Sequence, residues 1–253
     1  MWDRPGLVNA LASALFAIAA LLVAGAILWR VSQLPEFALR EVRVGGELKH
    51  VTRGEIEDVV RRELKGTFFT LDLARSRAAF ERLPWVRTVA VRRQWPAGLD
   101  VALEEHQPFA RWGTVALVNT HGEVFHAAYE GPLPLFAGPE GSAREIAIQY
   151  RYFRRSLAAV GETPVEVRVS ARRAWQLKLE SGLTLALGRE NIEARLARFV
   201  ATQPRAAAVL GRRVDYVDLR YTNGYAVRIP ELLHEKPETQ RGRGAGNAAG
   251  RKA

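Results

Sequence analysis

The chain has 253 residues, 48 % of them apolar, a formal net charge of +10 and no cysteine. The absence of cysteine excludes a disulfide scaffold, a thiolate nucleophile and a cysteine metal site. The basic residues are spread along the chain rather than massed, which argues against a nucleic-acid interface and fits a domain held beside anionic headgroups.

Pro5 to Trp29 is a run of 25 residues without a charged side chain, closed by Arg4 and Arg30. At about 1.5 Å per residue it is long enough to cross a hydrocarbon core of about 30 Å. Trp2 and Trp29 stand where interfacial aromatics lie. The alternative is a cleaved signal peptide, with Arg4 as the positive start and Ala24-Gly25-Ala26 as a small-residue cleavage site. The apolar region of a signal, however, runs to only about 7–15 residues. The expectation is an uncleaved transmembrane helix over residues 7–31 behind a stub of residues 1–6. Lysine and arginine counts on its two sides are nearly tied and do not orient it.

Leu34-Pro35 ends the anchor, because proline lacks the amide donor and restricts the residue before it. Phe37 to Val44 reads as a strand turning at Gly45-Gly46. Thr52-Arg53-Gly54-Glu55 has capping-box form and opens a helix with Ile56, Val59, Val60 and Leu64 on one face. Asp72 caps a second helix ending at Leu83-Pro84. Val86 to Trp95 and Leu99 to Glu105 are strands joined at Pro96-Ala97-Gly98, and the second alternates apolar and polar residues as a half-buried strand does. The order strand, helix, helix, strand, strand over residues 37–106 describes an open sheet with two helices on one face.

A second unit is expected over residues 107–230. Val115 to Val118 and Glu123 to Ala127 read as a hairpin. Gly131 to Gly138, with two prolines, reads as a loop laid across the sheet. Ser142 and Glu145 have the spacing of another capping box, ahead of a helix carrying Ile146, Tyr150, Phe153, Leu157 and Val160 to a stop at Gly161. Val165, Val167 and Val169 form a strand. Trp175 to Leu179 and Leu183 to Leu187, turning at Ser181-Gly182, make the clearest hairpin. A helix with Ile192, Leu196, Phe199 and Val200 is expected to end at Gln203-Pro204. Asp215 to Tyr221 and Tyr225 to Ile229 are the last strands, with Asn223-Gly224 as the turn. Pro237 to Ala253 is rich in Gly, Arg and Ala without a large apolar side chain, and residues 231–253 are expected to be a disordered tail. The fold class is therefore α+β: one N-terminal transmembrane helix, a β-α-α-β-β unit, and a mixed α/β unit with an antiparallel β-sheet.

Chemistry finds little purchase. His121, Glu123 and His126 share a hairpin, but positions 121 and 126 have opposite parity in a strand and face apart. No nucleophile elbow, Gly-rich phosphate loop or paired-carboxylate pattern is present, so no catalytic residue, metal, cofactor or small-molecule substrate is assigned. The last strand, Gly224 to Ile229, is instead a candidate sheet edge able to accept a partner's strand.

Several stretches in order carry a resemblance: Leu83-Pro84-Trp85-Val86, Val91 to Pro96, Glu105 to Trp112, Trp175-Gln176-Leu177, Leu187-Gly188-Arg189, Arg195 to Phe199, and Tyr216 to Val227. Together with the anchor and the β-α-α-β-β unit, they make the chain similar to the FtsQ/DivIB family of bacterial cell-division proteins, up to about Pro230. The resemblance implies a non-catalytic protein of the inner membrane, N-terminus in the cytoplasm, with a POTRA domain and a distal β domain in the periplasm. It implies recruitment of FtsB and FtsL at the division septum, an FtsB segment adding to the last β-strand and so linking early to late septal proteins. Carried over by motif, the partner-binding residues are Arg172, Arg220, Tyr221 and Asn223, with Gly224, Tyr225, Ala226 and Val227 as the receiving edge. The short stub and the Gly/Arg tail are not explained by the resemblance. A POTRA-containing translocation or assembly factor is the alternative, and an anchored enzyme a third reading.

Overall fold

The computed structural model describes the backbone of residues 5–210, 214–221 and 224–229. Asn223, the stub before Pro5 and the tail after Ile229 lie outside the described residues. The first element, α1 (Pro5–Ser32), is a 28-residue helix. Its span Asn9–Ser32 is long and apolar enough to cross a membrane, and none of that span is buried against the protein. A 3-10 turn (Pro35–Phe37) follows, opened by the proline.

Two compact units are distinguished. The first holds residues 1–109 and 115–131, the second residues 110–114 and everything from Pro132 onward. In the first, β1 (Glu41–Gly45), α2 (Arg53–Glu63), α3 (Leu73–Glu81), β2 (Val86–Gln94) and β3 (Gly98–Glu105) follow in the expected order. The sheet order is β1-β3-β2, with β1 parallel and β2 antiparallel to β3. The parallel pair requires a long crossover, which α2 and α3 supply. The Thr52 hydroxyl accepts from the Glu55 amide (3.3 Å) and the Glu55 carboxylate accepts from the Thr52 amide (2.8 Å), completing the capping box. Asp72 Oδ1 accepts from the Arg75 amide at 3.0 Å. Phe80, Leu99, Val101 and Leu103 make the buried core. Fully burying a side chain such as Phe80 contributes on the order of 2–3 kcal/mol.

The chain crosses from one unit to the other within β4 (Pro108–Trp112) and returns to the first for the hairpin β5 (Ala116–Asn119) and β6 (Val124–Phe125). Strand β5 is shifted by one residue from the expected Val115 to Val118, and β6 is shorter than the expected Glu123 to Ala127. In the second unit, β7 (Leu135–Ala137) lies inside the stretch expected to be a loop. It pairs parallel to both β4 and β8 (Pro164–Val169). The reason is positional: Pro132 and Pro134 precede the strand, so neither removes a donor from its ladder.

Helix α4 (Ala143–Ala158) precedes β8, and the chain leaves it through Gly161, whose φ of +72° suits glycine. Its expected capping box is absent: the Ser142 hydroxyl donates to the Pro139 carbonyl (2.5 Å), and Glu145 is ion-paired with Arg173. Then come β9 (Trp175–Leu179), β10 (Thr184–Gly188) and α5 (Ile192–Leu210). Helix α5 does not stop at Pro204. Proline's fixed φ is compatible with a helix, and the helix runs on to Leu210. Two short strands close the unit, β11 (Tyr216–Asp218) and β12 (Ala226–Arg228).

The run β12-β11-β10-β9-β8-β7-β4 forms the sheet of this unit. Phe136, Val167, Leu177, Leu185 and Val217 lie on one face, with Ile146, Phe153, Leu157, Leu196 and Phe199 of α4 and α5 also buried. Alternate residues such as Arg168, Gln176 and Lys178 face the other way and are exposed.

Candidate functional site

The edge begins with β11. It pairs parallel to β10, setting Thr184 opposite Tyr216, Leu185 opposite Val217 and Ala186 opposite Asp218. Strand β12 pairs antiparallel on its outer side, Tyr216 with Arg228, Val217 with Val227 and Asp218 with Ala226. All three β12 residues are exposed. Among the described residues no further strand lies outside β12, so its outward backbone groups have no ladder to join.

Side chains around this edge are held from below. Arg228 lies 5.1 Å from the Tyr216 ring centroid and pairs with Asp215 at 3.2 Å. Tyr225 is half-buried and meets Phe199 of α5 edge-on, with ring centroids 6.3 Å apart. From α5, Arg198 donates to the carbonyls of Leu219 (3.3 Å) and Tyr221 (2.8 Å). The backbone between β11 and β12 is therefore clamped to α5 at Leu219 and Tyr221. The Tyr221 side chain itself is 58 % exposed, and Gly224 has open space where a Cβ would be.

Arg220 does not wave free in solvent. Its Nε and Nη2 donate to the Asp218 carboxylate at 2.8 and 2.6 Å, and its own amide donates to Asp218 Oδ1 at 3.0 Å. The Arg220 guanidinium holds Asp218 below the usual carboxylate range against the opposing effect of burial, and Asp218 in turn raises Arg220. Asp218 thus fixes a cation that stays mostly exposed. Arg172 sits in the tight turn between β8 and β9, where the Ser170 amide donates to the Ala174 carbonyl at 2.9 Å. Arg172 and Arg220 line one shallow depression, together with Arg189, Arg195 and Glu190. The floor is Gly188 at φ +79°: a Cβ there would meet Arg195 Nη1 at 2.7 Å and Arg220 Cγ at 3.1 Å. Arg195 Nη1 also donates to the Leu187 carbonyl at 2.6 Å.

The structure therefore brings Arg172 and Arg220 together, but of the expected receiving residues only Ala226 and Val227 belong to the outer strand; Tyr221 lies beyond β11, and Gly224 and Tyr225 come before β12 begins. Asn223 lies outside the described residues. Asp218, Arg195 and Arg198 lie in stretches that carry the resemblance but are not assigned to the site there, because their work is to brace neighbours. Arg195 and Arg198 stand three apart on α5, on the face shared with Leu196 and Phe199, and that spacing was the available signal. No group of three His, Asp or Glu side chains suited to a metal is found among the described residues.

Comparison with known proteins decides the family. Residues 110–220 match the family profile for the cell division protein FtsQ/DivIB, C-terminal, and residues 37–106 match the POTRA domain, FtsQ-type. The chain belongs to the FtsQ/DivIB family of cell-division proteins. It is 45 % identical over 233 residues to the cell division protein FtsQ of Nitrosospira multiformis, covering 90 % of this chain and 99 % of that one. It is 43 % identical to FtsQ of Burkholderia pseudomallei, covering 90 % and 94 %. FtsQ of Escherichia coli is 39 % identical over 205 residues, 76 % of this chain and 73 % of that protein. The β-α-α-β-β unit is thus an FtsQ-type POTRA domain, and the bracing and edge residues up to Arg220 fall in the FtsQ/DivIB C-terminal region.

Proposed function

We propose that this FtsQ/DivIB member is a non-catalytic scaffold of the divisome that captures FtsB, and with it FtsL, by accepting an FtsB strand on β12. In this reading α1 is its single membrane span, the N-terminus lies in the cytoplasm, and both folded units stand in the periplasm at the division septum. The observation that carries the reading is β12 itself: three exposed residues end a seven-strand run, with exposed Tyr221 and a braced Arg220 just before them. A strand added there gains backbone hydrogen bonds, while arginine and tyrosine supply selectivity by forked donors and rigid contact area. Asn223 belongs to the proposed site by motif. Functionally, residues 37–106 stand nearest the anchor and 107–230 carry the receiving edge.

Two experiments test it. Protease added to spheroplasts is expected to digest the folded units from outside, and protection of the bulk of the chain would reverse the orientation. In a pull-down with FtsB and FtsL, Tyr221→Ala and separately Arg220→Glu are expected to weaken capture about tenfold or more, as loss of an interface anchor does. Wild-type capture by both folded variants would remove strand addition at this edge.

A further inference from the structure

At the foot of α1, three segments of the first unit are stitched together. The Ser32 carbonyl that ends the helix accepts from the Thr67 hydroxyl at 2.6 Å. The Phe68 amide donates to the Phe37 carbonyl at 2.7 Å, and the Arg40 amide to the Ala97 carbonyl at 2.9 Å. Arg93 donates to the carbonyls of Phe68 and Leu71, both at 2.7 Å. Aromatic rings run through the junction: Phe37 to Phe69 at 5.1 Å, Phe69 to Phe68 at 5.2 Å, Phe68 to Trp95 at 5.7 Å. Phe68 is buried and forms the base. Trp95, Phe69 and Leu34 face outward, 67 %, 49 % and 41 % exposed.

Large apolar side chains gathered on one exposed face mark an interaction site, and here the neighbour is set by the chain. Leu34 stands two residues beyond a helix able to cross the membrane, so it lies within about 7 Å of that helix's end. Charge agrees. Segments 30–40, 65–71 and 92–97 contain Arg30, Arg40, Lys65, Arg92 and Arg93 against a single acid, Glu36. Amphipathic aromatics flanked by cations are the composition of a surface resting at headgroup depth on anionic lipid.

We propose that Leu34, Phe69 and Trp95 form an interfacial seat on which the POTRA unit rests against the bilayer, with Arg30, Lys65 and Arg92 among the lipid phosphates. The proposal rests on α1 lying in the membrane and is independent of strand addition at β12. Seated this way, β3 rises away from the lipid from Gly98 to Glu105, a climb of about 25 Å.

The chain has no cysteine, so one introduced thiol reports one place. A nitroxide is attached at Gln94→Cys, beside Trp95, or at Glu47→Cys, just past the far end of β1, in the full chain. Each is reconstituted in vesicles of phosphatidylethanolamine and phosphatidylglycerol containing some lipid with nickel chelated at its headgroup. The label at 94 is expected to relax several-fold faster than that at 47. Phe69→Ser with Trp95→Ser is expected to abolish most of that difference while the chain still resists carbonate extraction. Lys65→Glu with Arg92→Glu, which spares the rings, is expected to reduce it in anionic vesicles and leave it unchanged in phosphatidylcholine. Equal relaxation at the two sites, or no response to either pair of substitutions in a carbonate-resistant chain, overturns the seat. Extraction of the unsubstituted chain by carbonate would instead overturn the anchor beneath it.

Discussion

Each folded unit ends a strand on a nearly buried carboxylate, and the two are used for different ends. In the first unit, Glu105 closes β3 with a side chain 6 % exposed. It accepts from the amides of Lys49, His50 and Val51 at 3.0, 3.0 and 2.7 Å, and from His50 Nδ1 at 3.2 Å. In the second, Asp218 closes β11 with a side chain 11 % exposed, and its partners are the guanidinium and amide of one residue, Arg220. Glu105 ties together segments more than fifty residues apart, whereas Asp218 orients a side chain two residues along. A carboxylate that satisfies backbone donors holds a fold, and one that grips a guanidinium holds the direction of a single side chain.

The largest effect expected from that contrast is at Glu105. Glu105→Ala leaves three amides without their acceptor and is expected to destabilise the POTRA unit by about 3 kcal/mol. Denaturant unfolding of the full chain in detergent would read this. A loss no greater than that of an Asp218 substitution would erase the distinction. Next is Asp218→Asn, expected to cost about 1 kcal/mol of stability. Its larger consequence is a several-fold weaker capture of FtsB and FtsL, because the Arg220 fork is no longer held. Unaltered capture would mean that Arg220 needs no bracing. Gly188→Val separates bracing from charge: it leaves every arginine present but drives a side chain into Arg195 and Arg220, and reduced capture in a pull-down is expected.

The smallest effect is in the pH profile. Burial alone would raise Glu105, but the Val51, Lys49 and His50 amides outweigh it and the net shift is downward. Asp218 is also lowered, chiefly by Arg220. Their contributions are present above the unfolded values of about 4.3 and 3.9 and are lost as pH falls through the lower folded values. His106 behaves otherwise. It stacks on Phe125 at 4.1 Å and its Nδ1 accepts from Asn119 Nδ2 at 2.9 Å, and burial holds its pKa below the ordinary histidine value. The unfolded chain therefore takes up the proton first, and stability of the first unit begins to fall below the unfolded histidine value of about 6.5. His106→Gln is expected to flatten unfolding midpoints between neutral and mildly acidic pH, leaving the carboxylate-driven loss below.

The POTRA unit was largely legible, because its signals are local. The Thr52 capping box, the Asp72 cap and the alternation from Leu99 to Leu103 each act within one element. The second unit hid more. Strand β7 takes its hydrogen bonds from β4 and β8, distant in sequence, and the prolines before it read as a break. Ser142 spent its hydroxyl on Pro139, a choice that spacing to Glu145 does not reveal. Pro204 reads as a stop, yet α5 continues to Leu210. At the candidate site, Arg172, Arg220 and Tyr221 came from motif likeness, but that Arg172 and Arg220 share a depression depends on two turns meeting across Gly188. Among the bracing residues, Arg195 and Arg198 donate to backbone carbonyls that no sequence pattern names, and Asp218 grips the guanidinium two residues on.

The parallel pairing of β10 with β11 has a consequence for the order of events in the life of the protein. A parallel neighbour is reached only by a long crossover, here α5, and the two-strand piece β11 and β12 with three paired residues is too small to stand alone. Closing so long a loop comes late in folding. On the proposed reading, the outer strand would be open to a partner only once α5 has docked and β10 is in place. Recruitment through that strand would double as inspection: only molecules that have completed their fold enter the assembly.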